Sequence, residues 1–190
     1  MRELILGGQR SGKSRTAEER ARDWLAASPH HEALLVATAL PGDDEMRERI
    51  AHHQASRRER VPGLHTLEEP QALAEAIERE GRNPRRLVIV DCLTLWLTNL
   101  LMPISGTPMA ELAWQHECAR LALALRGAQG PLVLVSNEIG LGLSPMSREA
   151  RRFVDELGRL HQAVAAQCER VTLMVAGCAL AVKTPGAPHA

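Results

Sequence analysis

Gly7-Gly8-Gln9-Arg10-Ser11-Gly12-Lys13-Ser14 fits the pattern GxxxxGK[ST] in full. Glycines that let the backbone curl, a lysine and a hydroxyl together make the chemistry of a phosphate cradle. Successive N–H groups of such a loop turn toward phosphate oxygens, and a helix opening at Ser14 adds the positive end of its dipole. Lys13 is spaced to reach the β- and γ-phosphates of a nucleotide, and Ser14 to ligate Mg²⁺. Leu87-Val88-Ile89-Val90-Asp91 supplies a second part, four apolar residues ending in a carboxylate that can hold Mg²⁺ directly or through water. Any buried strand ending in Asp has that form, so the metal role of Asp91 depends on the phosphate loop.

Residues 43–58 carry a different chemistry. Three acids open the segment, the adjacent His52 and His53 follow, and arginines close it. On pattern alone this is a solvated, charge-rich helix face with two ordinary histidines. The alternative is a histidine nucleophile, since a neutral imidazole can attack phosphorus and neighbouring guanidinium groups stabilise the phosphate charge. On a helix Arg49 and Arg57 each lie four residues from His53, whereas His52 points about 100° away. The spacing therefore favours His53.

These residues need a frame. Glu3–Gly7, Ala33–Thr38, Leu87–Asp91, Leu132–Ser136 and Val171–Ala176 are short apolar runs without alternation, the pattern of strands buried on both faces. Between them, Ser14–Ala27, Asp43–Arg58, Pro70–Glu80, Thr107–Arg126 and Ser147–Gln167 read as helices. Pro70 suits a first helical turn, and Ser147 is placed to cap the last helix. Alternation of this kind predicts an α/β fold, a mostly parallel sheet flanked by helices as in P-loop NTPases. One domain over residues 1–184 is expected, with 185–190 as a flexible tail.

Composition narrows the partners. The chain of 190 residues has 23 basic and 23 acidic groups, so its net charge is zero and a nucleic-acid coat is excluded. Three Trp, one Phe and no Tyr argue against a base-stacking platform. No apolar run reaches the roughly 18–20 residues that span a bilayer, and no secretory signal is evident, so a cytoplasmic protein is expected. Cys92, Cys118, Cys168 and Cys178 show no metal or redox spacing and read as small buried apolar groups. Of the 23 basic residues only Lys13 and Lys183 are lysine, and Lys13 stands where a compact ammonium suits a crowded cradle better than a guanidinium.

Several blocks taken in order resemble one family. They are GGQRSGKS, VAT followed by DDEM, RIAHH with arginines after it, TLEEP, VDCLTLWLTNLL, and SNEIGLGLSP followed by REARRFVDELGRLHQ, spanning roughly residues 3–183. The family is the bifunctional adenosylcobinamide kinase / adenosylcobinamide-phosphate guanylyltransferase of cobalamin biosynthesis. The resemblance implies phosphorylation of the aminopropanol hydroxyl of adenosylcobinamide by ATP or GTP. Transfer of GMP from GTP to that phosphate would follow, through a GMP–histidine intermediate. The family's histidine falls on His53, the residue the spacing also favours. By the same resemblance, Gly7, Gly8, Gln9, Arg10, Ser11, Gly12, Lys13 and Ser14 would bind nucleotide phosphates. Ala37, Thr38, Ala39, Gln54, Ala55, Ser56 and Arg57 would line the GTP site, Glu68 and Asp91 would make further nucleotide or metal contacts, and Ser136–Gly140 would shape the rim. A homotrimer is implied.

Two positions depart from the family pattern. His161 stands where Asn is usual, which reads as a neutral surface change, and Gly177–Leu180 lacks a usual proline. Two rivals remain on the sequence: a P-loop small-molecule kinase without nucleotidyl transfer, and an NTP-dependent switch. The absence of a guanine-reading NKxD run counts against the switch.

Overall fold

The computed structural model describes residues 1–40, 42, 48 and 55–186. Seven strands of these residues, β1 (Arg2–Gly7), β2 (Glu32–Ala37), β3 (Leu64–Glu68), β4 (Arg86–Asp91), β5 (Leu132–Asn137), β6 (Arg170–Val175) and β7 (Cys178–Lys183), form one sheet in the order β3-β2-β4-β5-β1-β6-β7. The first six are parallel and β7 pairs antiparallel with β6. Helices flank it, among them α1 (Lys13–Ala27), α2 (Leu73–Glu80), α3 (Leu93–Leu101), α4 (Glu111–Gly127) and α5 (Arg148–Gln167). The architecture is the expected α/β one, a mostly parallel sheet between helices.

The unalternating strands are buried because both faces of the sheet are covered. Successive side chains point to opposite faces. Leu4, Val88, Val90, Leu132 and Leu134 therefore enter a core with helices α2 to α5, whose two largest members, Trp96 and Trp114, pack with ring centroids 5.3 Å apart. Ile5, Leu35, Ile89, Val133 and Val135 enter the opposite core against Ala17 and Ala21 of α1 and against Val61.

Five expected strands are present within a residue or two, and two more were not expected. β3 is an edge strand, LHTLE, with three of five positions exposed, so it lacks the apolar run that marks the others. β7 is exposed at every position except the half-buried Lys183. Helix α3 was also unassigned; its run LTLWLTNLL is apolar on nearly all sides and carries no helical period. The expected helix from Pro70 begins instead at Leu73, because the Glu69 carboxylate accepts the amides of Gln71 (3.1 Å) and Ala72 (2.8 Å) and holds residues 69–72 as a turn. The helix expected from Thr107 begins at Glu111. Ser147 caps α5, its hydroxyl accepting the Ala150 amide at 3.1 Å. Of the Asp43–Arg58 helix, Glu48 and residues 55–58 are helical, with the last run continuing to 60; the remainder lies outside the described residues.

Register decides where the chemistry collects. Glu68 lies opposite Ala37, Ala37 opposite Asp91, and Gly7 opposite Asn137. The carboxyl ends of β3, β2, β4, β5 and β1 thus share one edge, where ligands gather in open parallel sheets. At the opposite edge buried Glu3 forms an ion pair with Arg20 (2.9 Å) and accepts a hydrogen bond from the Thr172 hydroxyl (2.8 Å). The second lysine is structural. Lys183 Nζ donates to the carbonyls of Ala165 (2.8 Å) and Cys168 at the carboxyl end of α5, where orphan carbonyls favour a cation.

Candidate active site

β1 delivers the chain into the phosphate loop and α1 leaves from it. Gly7 (φ 154°) is required by space: a Cβ there would meet the Met174 carbonyl and the Ser11 hydroxyl, both at 2.5 Å. Gly12 precedes α1 at φ 104°, a left-handed value that favours glycine. The loop closes on itself through Ser11 N–H to Gly8 O (3.3 Å), and Thr16 N–H bonds Gly12 O (3.0 Å) as the helix starts. Gly8, Gln9 and Arg10 are exposed, Ser11 and Lys13 are buried, and Ser14 is half-buried.

Lys13 bends back so that its Nζ donates to Gly8 O at 2.6 Å, with Ser11 Oγ at 3.5 Å. Burial pushes its ammonium below the ordinary lysine value, and the neighbouring Cys92 and Asp91 oppose that shift. An ammonium held against a carbonyl in a buried loop gains when a phosphate oxygen arrives.

Asp91, at the end of β4, meets two of the expected partners. Ser14 Oγ lies 3.5 Å from Oδ1, and Arg57 Nη2 lies 3.7 Å from Oδ2. Both oxygen donors are hard, and Mg²⁺ keeps several waters and phosphate oxygens for itself, so one hydroxyl and one carboxylate suit it. Among the described residues no group of three or more His, Cys, Asp or Glu is clustered for a metal.

Arg57 is the junction of the site. It is 6% exposed, faces Asp91 on one side and Glu18 Oε1 (3.4 Å) on the other, and Arg60 Nε donates to the second Glu18 oxygen at 2.8 Å. It also lines a cavity of about 410 Å³ beside β3, whose wall includes Arg58, His65, Thr66 and Glu68. Arg57, expected to line the GTP site, and Glu68, expected to make nucleotide or metal contacts, thus line one space. Ala55 is exposed and the Ser56 hydroxyl accepts from Arg60. His53 and Gln54 lie outside the described residues.

Thr38 serves the frame. Its fully buried hydroxyl donates to Cys92 O (2.7 Å) and accepts the Cys92 amide (2.9 Å), while Asn99 Nδ2 donates to Thr38 O (2.7 Å). These bonds tie the end of β2, with Ala37 and Ala39 around it, to the turn that carries Asp91 and starts α3. The thiol of Cys92 is inert there, pushed up to about 11 chiefly by burial. Cys168 is buried likewise and Cys118 is half-buried, but Cys178 is exposed on β7, contrary to the reading of all four as buried groups.

A second cavity, also about 410 Å³, is lined by Gly8, Gln9, Arg10 and Ser11 of the loop together with Glu138, Leu141 and Met174. Behind Glu138 stands His161, which the sequence reading put on the surface. It is 7% exposed, because Leu157, Leu160, His161 and Val164 form the buried i, i+3, i+4, i+7 stripe of α5. That spacing is visible in the sequence and marks the position as interior.

A model of the cobinamide kinase / cobinamide phosphate guanyltransferase family matches residues 3–182. The chain belongs to this family. Among curated relatives, the bifunctional adenosylcobalamin biosynthesis protein CobP of Pseudomonas aeruginosa is 49% identical over 183 residues, covering 96% of this chain and 98% of the relative. The bifunctional adenosylcobalamin biosynthesis protein CobU of Escherichia coli K12 is 37% identical over 188 residues, covering 95% and 98%. Among solved structures, the flagellar accessory protein FlaH of Methanocaldococcus jannaschii superposes with a TM-score of 0.51 at 11% identity, over all of this chain and 80% of that one. FlaH shares the fold. Near full-length alignment with the cobinamide kinase / guanyltransferase relatives places the phosphate loop, the Asp91 strand and the NEIG block inside the matched region. No helix among the described residues is long and apolar enough to cross a membrane.

Proposed function

We propose that this chain phosphorylates adenosylcobinamide and then converts the phosphate to adenosylcobinamide-GDP, the two activities for which its family is named. The observation that carries the reading is the grouping of Lys13, Ser14 and Asp91 at the carboxyl edge of the sheet, with Arg57 reaching from that group to the cavity beside β3. In the first step ATP or GTP occupies the loop, and Lys13 exchanges the Gly8 carbonyl for a phosphate oxygen. Ser14 and Asp91 would hold Mg²⁺, which neutralises phosphate charge when bound. Arg57 faces Asp91 Oδ2, so Oδ1 is the oxygen turned toward Ser14.

In the second step His53 would attack the α-phosphorus of GTP. An N–P bond forms, the bond from the α-phosphorus to the bridging oxygen breaks, and pyrophosphate leaves. The corrinoid phosphate oxygen then displaces histidine and takes the GMP. Arg57 and Glu68 would help seat the GTP. The assignment of His53 rests on its spacing from Arg49 and Arg57 and on the family resemblance.

We also infer a cytoplasmic homotrimer. The cytoplasm is where nucleoside triphosphates are supplied. Leu180 (59% exposed) and Val182 (62%) on the edge strand β7 are apolar groups of the kind a subunit contact would cover.

The test supplies adenosylcobinamide, Mg²⁺ and either ATP or GTP, and identifies corrinoid products by mass. Adenosylcobinamide phosphate followed by adenosylcobinamide-GDP with GTP is expected. Phosphate alone under GTP would leave a simple kinase, and nucleotide hydrolysis without corrinoid product would leave a switch protein.

A further inference from the structure

The carboxyl end of β5 carries a polar cluster to which the two proposed steps give no role. Five groups form it in sequence: the Asn137 amide, Thr94 Oγ1 (2.9 Å), Ser136 Oγ (3.0 Å from Thr94), His161 Nε2 (2.7 Å from Ser136) and, across the ring, Glu138 Oε2, 3.5 Å from His161 Nδ1. Thr94, Ser136 and His161 are buried.

The direction of these bonds follows from their ends. The Asn137 amide can only donate, so Thr94 accepts there; at the other end the Glu138 carboxylate can only accept, and the order that serves both ends sends the Thr94 proton to Ser136. Ser136 then donates to His161 Nε2, which leaves the ring proton on Nδ1, facing a carboxylate that can only accept. The opposite order, with the Thr94 proton turned to the Cys92 sulfur, would turn a lone pair of Nδ1 toward the Glu138 carboxylate. Burial pushes the imidazole below its ordinary value against the opposing effect of Glu138, so the neutral tautomer this order needs is the favoured one. The other Glu138 oxygen accepts the Gly140 amide at 2.6 Å. The main chain of Glu138 is anchored as well, its N–H donating to Gly7 O at 2.9 Å.

Glu138 is thus a carboxylate held from behind by neutral donors and opening on the cavity that Gly8, Gln9 and Ser11 line. Its side chain keeps 21% of its surface accessible. Asp91, a second carboxylate near the loop, is engaged by Ser14 and by the Arg57 guanidinium. We propose that Glu138 is the proton acceptor for the substrate hydroxyl in the phosphoryl-transfer step, and that His161 is the residue that positions it. The inference rests on the kinase reading above. The hydroxyl oxygen bonds to the γ-phosphorus, and the bond from that phosphorus to the β,γ-bridging oxygen breaks. Its electron pair leaves with the nucleoside diphosphate, and the hydroxyl proton passes to Glu138. Water takes that proton when the products depart. Leu141, 82% exposed on the same cavity wall, offers an apolar rim to an acceptor larger than a sugar.

The experiment compares wild type, Glu138→Gln, His161→Ala and His161→Asn in the kinase assay with adenosylcobinamide, alongside labelling of the protein by GTP carrying label at its α-phosphate. Glu138→Gln is expected to lower kinase kcat by roughly 10²–10⁴-fold, the usual contribution of a positioned base. The KM for nucleotide should hold within threefold and protein labelling should continue. His161→Ala is expected to lower kcat at least tenfold with KM unchanged. His161→Asn, which can donate to Glu138 and accept from Ser136, should recover most of it. Glu138→Gln retaining kcat, or losing kinase turnover and labelling by the same factor, overturns the proposal. An inactive wild-type kinase overturns the functional reading and this inference with it.

Discussion

Glu3 lies at one end of the sheet's strands and Lys13 and Asp91 at the other, and all three are buried or half-buried charges. Glu3 is completely buried, and both of its oxygens are used, by Arg20 Nε at 2.9 Å and Thr172 Oγ1 at 2.8 Å. At the carboxyl edge the charges are less completely matched. Lys13 settles for a backbone carbonyl, and Asp91 meets Ser14 and Arg57 at 3.5 and 3.7 Å. A charge whose hydrogen bonds are closed within the protein stabilises the fold. A charge met only by a neutral carbonyl, as Lys13 is, or by partners at long distance, as Asp91 is, retains capacity for a ligand. The distinction lies in satisfaction rather than in burial.

Substitution at the two ends should separate these roles. Lys13→Ala is expected to lower kinase turnover about 10³-fold, the scale for removing a donor to developing charge, while the thermal midpoint holds or rises because a buried ammonium has gone. Steady-state assay and calorimetry on one preparation check both halves. Glu3→Gln should do the reverse. Stability falls by about 2–3 kcal/mol, below the cost of breaking a fully buried pair because Arg20 keeps 34% of its side chain in solvent. Turnover at 25 °C stays within twofold, and denaturant titration reads the loss. A Glu3→Gln protein that keeps its stability and loses turnover would erase the contrast.

Acid titration sharpens the contrast with a smaller effect. Burial pushes the Glu3 carboxyl up, but the hydrogen bonds from Arg20 and Thr172 and the charges of Arg20 and Arg170 outweigh it, leaving the group below its ordinary value. As pH falls, the unfolded chain takes up that proton first. The contribution of Glu3 is therefore complete above about 4.5 and is lost as pH drops through the folded value. His161 has the same sign in a higher window, since its buried ring also resists protonation. Stability should begin to fall below about 6.5, and His161→Asn should flatten that upper limb while leaving the lower one. Unfolding midpoints measured between pH 4 and 8 test the assignment. The smallest effect is expected from Lys183→Met, about 1 kcal/mol for losing a cation on the last carbonyls of α5, with turnover unchanged.

Much of this was legible in the sequence, unevenly. Strands buried on both faces announce themselves as unbroken apolar runs, so β1, β2, β4, β5 and β6 could be read directly. β3 and β7 lie at the edges, where half or more of each strand meets solvent and the run is interrupted. Helix α3 escaped because its sequence is apolar on nearly all sides, and a helix without a continuous polar face has no clear period to read. The phosphate loop was legible because its geometry demands particular residues at fixed spacing. The β5 cluster was not, since Thr94, Ser136 and His161 are far apart in the chain and only the packing of α3 and α5 at the end of β5 brings them together. His161 alone carried a usable sign, its place in the apolar stripe with Leu157, Leu160 and Val164. Thr38 shows the converse: it stands at a strand end where a ligand contact is expected, yet its hydroxyl is spent on the backbone of Cys92.

The central claim is that one phosphate-loop protein carries both a kinase step and a covalent guanylyl transfer on His53. The most direct measurement incubates the protein with Mg²⁺ and GTP labelled at the α-phosphate, then follows label bound to protein through acid and base treatment and in His53→Ala. A phosphoramidate predicts label that is lost in acid, survives base, passes to adenosylcobinamide phosphate on its addition, and is absent from His53→Ala. Unlabelled wild-type protein, or undiminished label on His53→Ala, would contradict the account.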